Sequence, residues 1–195
     1  MNTIYECVES FCTLLDTEYH MILGRKGVAV SIEVEFDKKD CFHLMGLQYL
    51  RDRPELNRDR GKIFDEIRSR RITLEQLESS VFYNQIAERI DMLPYLERMF
   101  DSNDTIFKYN QKNNIYSLIQ ADYLMRNRFQ GSNIYIFLSE NSEGKYFCRS
   151  FFPETLKDYT KNQASWKLLY KEKIRKSTGE SIVLYNKKKE EHHSH

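Results

Sequence analysis

The spacing of apolar residues changes at Phe100, and that change restricts the folds open to this chain. Downstream, apolar and polar residues alternate with a period of two, the signature of half-buried strands. Residues 105–109 and 115–119 flank Gln111-Lys112-Asn113-Asn114, with 121–129 extending the second arm. Residues 134–139 and 145–152 flank Asn141-Ser142-Glu143-Gly144, and 165–175 and 180–185 flank Ser177-Thr178-Gly179. These read as three hairpins. Upstream the period is helical. Residues 3–23 carry Ile4, Val8, Phe11 and Leu15 on one stripe and Glu6, Glu9 and Asp16 opposite, which predicts a helix. One stretch breaks the helical texture: Val28, Val30, Ile32, Val34 and Phe36 alternate with Ala29, Ser31, Glu33 and Glu35, a strand. Asp40 then serves as N-cap of a helix running to about Arg51, with His43, Leu47 and Leu50 on one face. Between 61 and 100, Ile63, Phe64 and Ile67 mark a short helix, Thr73 and Gln76 a capping box, and Pro94 a last first turn. Helices first and hairpins later predict an α+β fold: N-terminal helices with one strand, a helical middle section, and a C-terminal twisted antiparallel sheet.

The 195 residues fit a single α+β domain over 1–186, with a helical insertion at about 55–101 and a charged tail over 187–195. Cys7, Cys12, Cys41 and Cys148 have no metal-ligand spacing. The start lacks a signal-peptide pattern, and no apolar run is long enough to span a bilayer, so the expectation is a reduced, cytoplasmic protein without a membrane partner. The net charge of +1 hides an asymmetry: residues 142–189 hold twelve Lys/Arg against five Asp/Glu. A basic C-terminal third implies a surface that faces a polyanion, with a solubilising tail as the bland alternative. In the last hairpin, Lys167, Lys171, Lys173 and Arg175 share a strand face, interrupted by Leu169. Arg126 and Arg128 share another, and Lys145 and Arg149 a third.

Several chemistries lack their motifs. There is no glycine-rich phosphate loop, no HExxH, no His pair at i, i+4 in ordered sequence and no GxSxG elbow, so neither a cofactor nor a metal is expected. His192, His193 and His195 sit in the Lys/Glu-rich terminus and read as tail. Metal-independent RNA cleavage needs little more than is present: a proton acceptor for the 2′-hydroxyl, a proton donor for the leaving 5′-oxygen, and cations for the phosphate. His43 can be the acid or base and Arg149 the clamp. Ser150, Tyr159 or Thr160 can hydrogen-bond a phosphate oxygen, Arg126, Arg128, Lys145, Lys161, Lys167, Lys171 and Lys173 can track the backbone, and Tyr146 and Trp166 can stack bases. A histidine at the buried margin of a packing helix is the bland reading of His43. The other ordered histidine, His20, falls on the expected first helix.

Phe42-His43-Leu44-Met45-Gly46-Leu47 after a strand, then helices, then hairpins with Tyr146-Phe147-Cys148-Arg149-Ser150-Phe151-Phe152, resembles a phage- and mobile-element-associated branch of the barnase–EndoU–colicin–RelE-like (BECR) nucleases. That branch carries an FxHLxGL-like motif, matched here over 42–47. The resemblance implies a metal-independent ribonuclease, often a toxin or an effector in phage–host conflict, with His43, Arg149 and Ser150 as catalytic candidates. It also implies RNA as partner and an antitoxin, immunity or host protein as a further one. The alternatives are a non-catalytic nucleic-acid-binding module, with His43 structural, and a phage accessory protein whose acidic 55–101 section binds a partner. The sequence leaves the oligomeric state open.

Overall fold

A computed structural model describes residues 3–102, 105–114 and 117–187. Backbone contacts divide the chain into two compact units, one of residues 1–15 and 36–98, the other of 16–35 and 99–195.

The first unit is helical. α1 (Ile4–Leu15) opens on a capping box: Glu6 Oε2 accepts from the Thr3 N–H at 2.6 Å, and Thr3 Oγ1 accepts from the Glu6 N–H at 3.2 Å. Its stripe of Ile4, Cys7, Val8, Phe11 and Leu14 is buried, with the Phe11 ring edge-on to Phe36 and Phe64. α2 (Lys38–Met45) starts three residues earlier than expected. Asp37 is the N-cap, and Asp40 instead closes the capping box from the helix's third position. α2 also stops before Arg51: Gly46 takes a left-handed conformation (φ 79°) and its N–H returns to the His43 and Phe42 carbonyls. His43 therefore lies in the last turn, and Leu47 and Leu50 lie beyond the helix. α3 (Arg60–Arg68), α4 (Leu74–Glu78) and α5 (Ala87–Met92) follow; α6 (Leu96–Asp101) begins in this unit, and its residues 99–101 belong to the second. The Thr73–Gln76 capping box on α4 is present as expected.

The second unit is a sheet, and here the expected first helix is wrong beyond Leu15. Residues 17–25 form β1 (Thr17–Arg25), with Tyr19, Met21 and Leu23 buried and their neighbours less so. β1 is paired on both edges, to β2 (Val28–Val34) and to β7 (Ala164–Arg175), and that pairing overrides the helical spacing. Lys26 and Gly27, both at positive φ, make the turn between β1 and β2. β3 (Thr105–Lys108) pairs with β4 (Tyr123–Phe129), within the expected extension of the second arm. Gln111–Asn114 is a 3-10 turn rather than a hairpin tip, and residues 115 and 116 lie outside the described set, as does the histidine-bearing tail. The hairpins of β5 (Ser132–Glu140) with β6 (Tyr146–Pro153), and of β7 with β8 (Ser181–Asn186), form as expected.

The strand order is β1-β2-β6-β5-β4-β3-β7-β8, and the β1–β7 pairing closes the sheet into a barrel. Closure is narrow at β2–β6: Val34 faces Tyr146, and the Glu35 N–H donates to the Tyr146 carbonyl at 2.9 Å. On the face opposite to the buried Ile134, Ile136 and Leu138, the side chains of Phe107, Tyr109, Leu124, Tyr135 and Phe137 form a second cluster with Phe152 and Tyr159. β5 is thus covered on both faces, and 134–138 is apolar at every position.

Candidate active site on the outer face of the sheet

Because successive residues of a strand point to opposite faces, burying Tyr19, Met21 and Leu23 turns Glu18, His20 and Ile22 to the other side. Cross-strand partners share a face. Glu33 on β2 and Glu172 on β7 stand directly opposite His20. The Glu35 side chain follows Glu33 on the same face, and Lys145 reaches in from the start of β6.

The resulting cluster is tightly connected. His20 Nε2 lies 2.7 Å from Glu18 Oε1. Lys145 Nζ lies 3.3 Å from the same oxygen, 3.7 Å from Glu33 and 3.6 Å from Glu35. Burial alone would favour the neutral form of Glu18, whose side chain is 14% exposed. The hydrogen bonds from His20 and Lys145 and their charges outweigh it, so its carboxyl titrates below the usual carboxylate range. Desolvation likewise works against the Lys145 ammonium, but the hydrogen bond to Glu18 and the charges of Glu35 and Glu33 hold it above the usual lysine value. Facing an ionised Glu18, Nε2 must carry the proton. Nδ1 is then the nitrogen that can accept one. On the flank, burial followed by the charge of Glu172 pushes the Tyr170 phenol up.

The cluster also offers a donor set for a divalent cation. One ligand atom each from Glu18, His20 and Glu33 lies within 4.8 Å of the others, two carboxylates and an imidazole. Lys145 sits among the same carboxylates as a cation supplied by the chain itself.

The residues expected from the sequence are distributed otherwise. His43 is half-buried in the helical unit, its ring edge-on to Phe42 with centroids 5.7 Å apart. Arg149 and Ser150 belong to the sheet unit. Arg149 is exposed at a bulge of β6 and lines a cleft of about 390 Å³ with Asp122, Glu140, Gln111 and Gln120. Ser150 is half-buried opposite Phe137. Arg126 and Arg128 share a face of β4 as expected; Arg128 is exposed, while Arg126 lies over the Phe107 ring. Thr160 is held by Asp158, with N–H and Oγ1 at 2.8 and 2.6 Å from Oδ1, and Arg126 helps keep that carboxyl ionised. Tyr159 packs against Tyr135, Phe137 and Phe152, with the Lys157 ammonium over its ring. Tyr146 is buried against Tyr123, which removes it as a base-stacking platform. Lys161 and Lys167 are exposed.

The basic face of the last hairpin needs the largest correction. A bulge lies where Leu23 pairs with Leu168 and Ile22 with Tyr170, leaving Leu169 extra. The bulge reverses the alternation, so Lys171 points inward. Lys171 is fully buried and donates to the Phe100 carbonyl at 2.8 Å and to the Ser102 carbonyl, capping the end of α6. Lys173 is paired with both Asp101 oxygens at 2.9 and 2.8 Å, and the Arg175 guanidinium reaches Thr17 Oγ1 at 3.3 Å. The expected row of phosphate-binding lysines is therefore largely tied to partners within the sheet unit.

The sequence reading put Glu18 and His20 on a helix and Glu33 and Glu35 on the 28–36 strand, so it did not bring them together. The Glu-x-His spacing of 18 and 20 was the available signal, since in a strand it puts both side chains on one face.

No helix among the described residues is long and apolar enough to cross a membrane. Neither the curated proteins nor the solved structures contain a match to the chain. The sequence does match the model of one family, phage-Barnase-EndoU-ColicinE5/D-RelE like nuclease 4, over residues 3–188, which takes in both compact units and the 42–47 motif. The chain is a member of that nuclease family.

Proposed function

We propose that the chain is an endoribonuclease that cleaves RNA through the RNA's own 2′-hydroxyl, with proton transfer at the outer sheet face. The observation that carries this reading is the 2.7 Å contact between Glu18 and His20 Nε2, with Lys145 on the same carboxylate. Glu18 fixes the tautomer and stabilises the imidazolium that forms, as the carboxylate of a Ser-His-Asp triad does. His20 takes the 2′-hydroxyl proton at Nδ1. The phosphorus–O2′ bond forms, the phosphorus–O5′ bond breaks, and the leaving oxygen takes a proton from water. The products are a 2′,3′-cyclic phosphate and a 5′-hydroxyl. Lys145 supports the charge on the phosphate oxygens, which balances part of the carboxylate excess around it.

That excess supports a second reading, in which a divalent cation held by Glu18, His20 and Glu33 brings the phosphate in. Cleavage of mixed RNAs, tRNA included, in EDTA separates the two. Undiminished cutting with cyclic-phosphate ends supports the first, and activity restored only by added Mg²⁺, Mn²⁺ or Zn²⁺ supports the second. A role as a toxin or phage–host effector predicts that expression of wild type, but not of His20→Ala, arrests growth of a bacterial host.

A further inference from the structure

Two strand edges left open in the sheet differ in how they are protected. The outer edge of β8 carries a bulge at Leu184, and Lys187-Lys188-Lys189 follow it in sequence. Bulges and lysines are devices that stop an edge from pairing with another chain. The other open edge belongs to β2. β6 takes it up only at Val34, and among the described residues no strand pairs with residues 28–32 on that side.

The direction of the β2 backbone groups follows from the turn before it. Lys26 and Gly27 make a two-residue turn, so Arg25 and Val28 are a directly bonded pair. The ladder alternates, so the N–H and C=O of Val30 and Ile32 also face β1, while those of Ala29 and Ser31 face away. Glu35, in the same series as Ala29 and Ser31, confirms the direction: its N–H reaches the Tyr146 carbonyl. Ala29 and Ser31 are exposed, and among the described residues no hydrogen bond engages their outward groups. Val28-Ala29-Val30-Ser31-Ile32 holds no charge, proline or glycine, and Val28, Val30 and Ile32 are β-branched. The Val28 side chain is 57% exposed. This stretch is a pairing template without the protection that β8 has.

Charge changes sign along the strand. Arg25 and Lys26 stand exposed before it, and Glu33 and Glu35 follow. Those two acids share Lys145 with Glu18, which leaves an acidic excess at that end. An antiparallel copy reverses the order, so each basic end meets an acidic one.

We infer that β2 pairs antiparallel with β2 of a second copy of this chain, about a two-fold axis at Val30. The turn ends the open stretch at Gly27 and β6 ends it at Val34, so Val30 is its centre. In this register Ala29 of each copy bonds Ser31 of the other, making about four hydrogen bonds. Val28 of each copy stands opposite Ile32 of the other, which covers its exposed side chain. The turn bearing Arg25 and Lys26 comes toward Glu33 and Glu35 of the second copy. A strand from another protein could use the same backbone groups, but a second copy carries the matching charge order by symmetry. The inference stands independently of which residues cut RNA.

The test uses the full-length protein. Sedimentation velocity from micromolar to hundreds of micromolar should show a monomer–dimer equilibrium. Val30→Cys places its thiols across the axis in a non-hydrogen-bonded pair, whose Cα separation suits a disulfide. Mild oxidation should link the copies, with the bond mapped by mass spectrometry to position 30 in both. Ile182→Cys, exposed on β8, should stay at the wild-type background. Ser31→Pro removes an outward N–H and should abolish the dimer, with melting curves checking that it folds. Should it not fold, Arg25→Glu/Lys26→Glu reads the same contact and should raise the dimer Kd at least tenfold. Three results would overturn the inference: a wild type that stays monomeric throughout, crosslinking of Ile182→Cys equal to that of Val30→Cys, or a dimer that Arg25→Glu/Lys26→Glu leaves unchanged. The His20→Ala variant should dimerise like wild type, so failure here is distinguishable from failure of the proposed catalysis.

Discussion

Two groups of cations, one in each compact unit, are held in opposite ways. In the sheet unit, three cations are engaged by partners within the fold: Lys145 by three carboxylates, Lys171 by two backbone carbonyls, Lys173 by Asp101. In the helical unit, Arg51 and Arg60 stand at the mouth of a cleft without acidic lining. An engaged charge can fix a tautomer or cap a helix, while a displayed one can hold an anion. The local charge excess of residues 142–189 is therefore only a partial guide to where an anion would bind: Lys145, Lys171 and Lys173 are engaged within the fold, whereas Arg149, Lys161 and Lys167 are exposed.

This contrast can be broken most sharply at His20. If the sheet cluster moves protons, His20→Ala lowers single-turnover RNA cleavage by about 10²–10⁴-fold, and Glu18→Gln by a comparable amount. His43→Ala is the matched control from the other unit, and we expect it to stay within about tenfold of wild type. Equal losses in the two histidine variants would merge the roles kept apart above.

The next largest effect concerns stability. Lys171→Ala removes the ammonium that bonds the Phe100 and Ser102 carbonyls at the end of α6 and opens a cavity, so urea unfolding should show a loss of about 2–4 kcal/mol. Lys161→Ala, at an exposed position, should change stability by less than about 0.5 kcal/mol. If Lys171 were instead a surface phosphate contact, the order would reverse in an RNA-binding titration.

Gly46→Ala probes the helical side. Its φ of 79° disfavours any side chain, and an added Cβ would lie 3.0 Å from both Arg89 and Ile86 side-chain atoms. We expect a loss of about 1–2 kcal/mol.

The smallest effect is on pH dependence. The carboxyl of Glu18 has a folded value below its unfolded one, so its contribution is fully present above the ordinary carboxylate range. It is lost as the pH falls through that range and the depressed folded value. Melting temperatures of wild type should drop over this acid window more steeply than those of Glu18→Gln. The buried Cys7 thiol is pushed up to about 12, first by desolvation and then by the charges of Glu6 and Asp91, so the native protein should resist its alkylation at neutral pH.

Much of the fold was legible in the sequence for reasons that are local. The α4 capping box, the strand at 28–36 and the hairpins at 141–144 and 177–179 are each specified within a few residues. The failures share a cause in long-range pairing. Residues 17–25 have a helix-compatible spacing, yet β2 and β7 claim both their edges. The β7 bulge at Leu169 is visible only against β1, and it alone decides that Lys171 faces inward. The candidate site was legible only in part. His20 and Lys145 were both noted, but they are 125 positions apart, and only the closed sheet places them on one carboxylate.

RNA cleavage by 2′-hydroxyl attack at the Glu18–His20–Lys145 cluster is the activity proposed for the chain. Its most direct test is a single-turnover cleavage assay in EDTA on a mixed RNA pool, comparing wild type with His20→Ala and reading the 3′ ends. We expect wild type to leave 2′,3′-cyclic phosphates and His20→Ala to leave the RNA intact. Equal cleavage by the two proteins, or wild-type products ending in a 3′-hydroxyl, would contradict it.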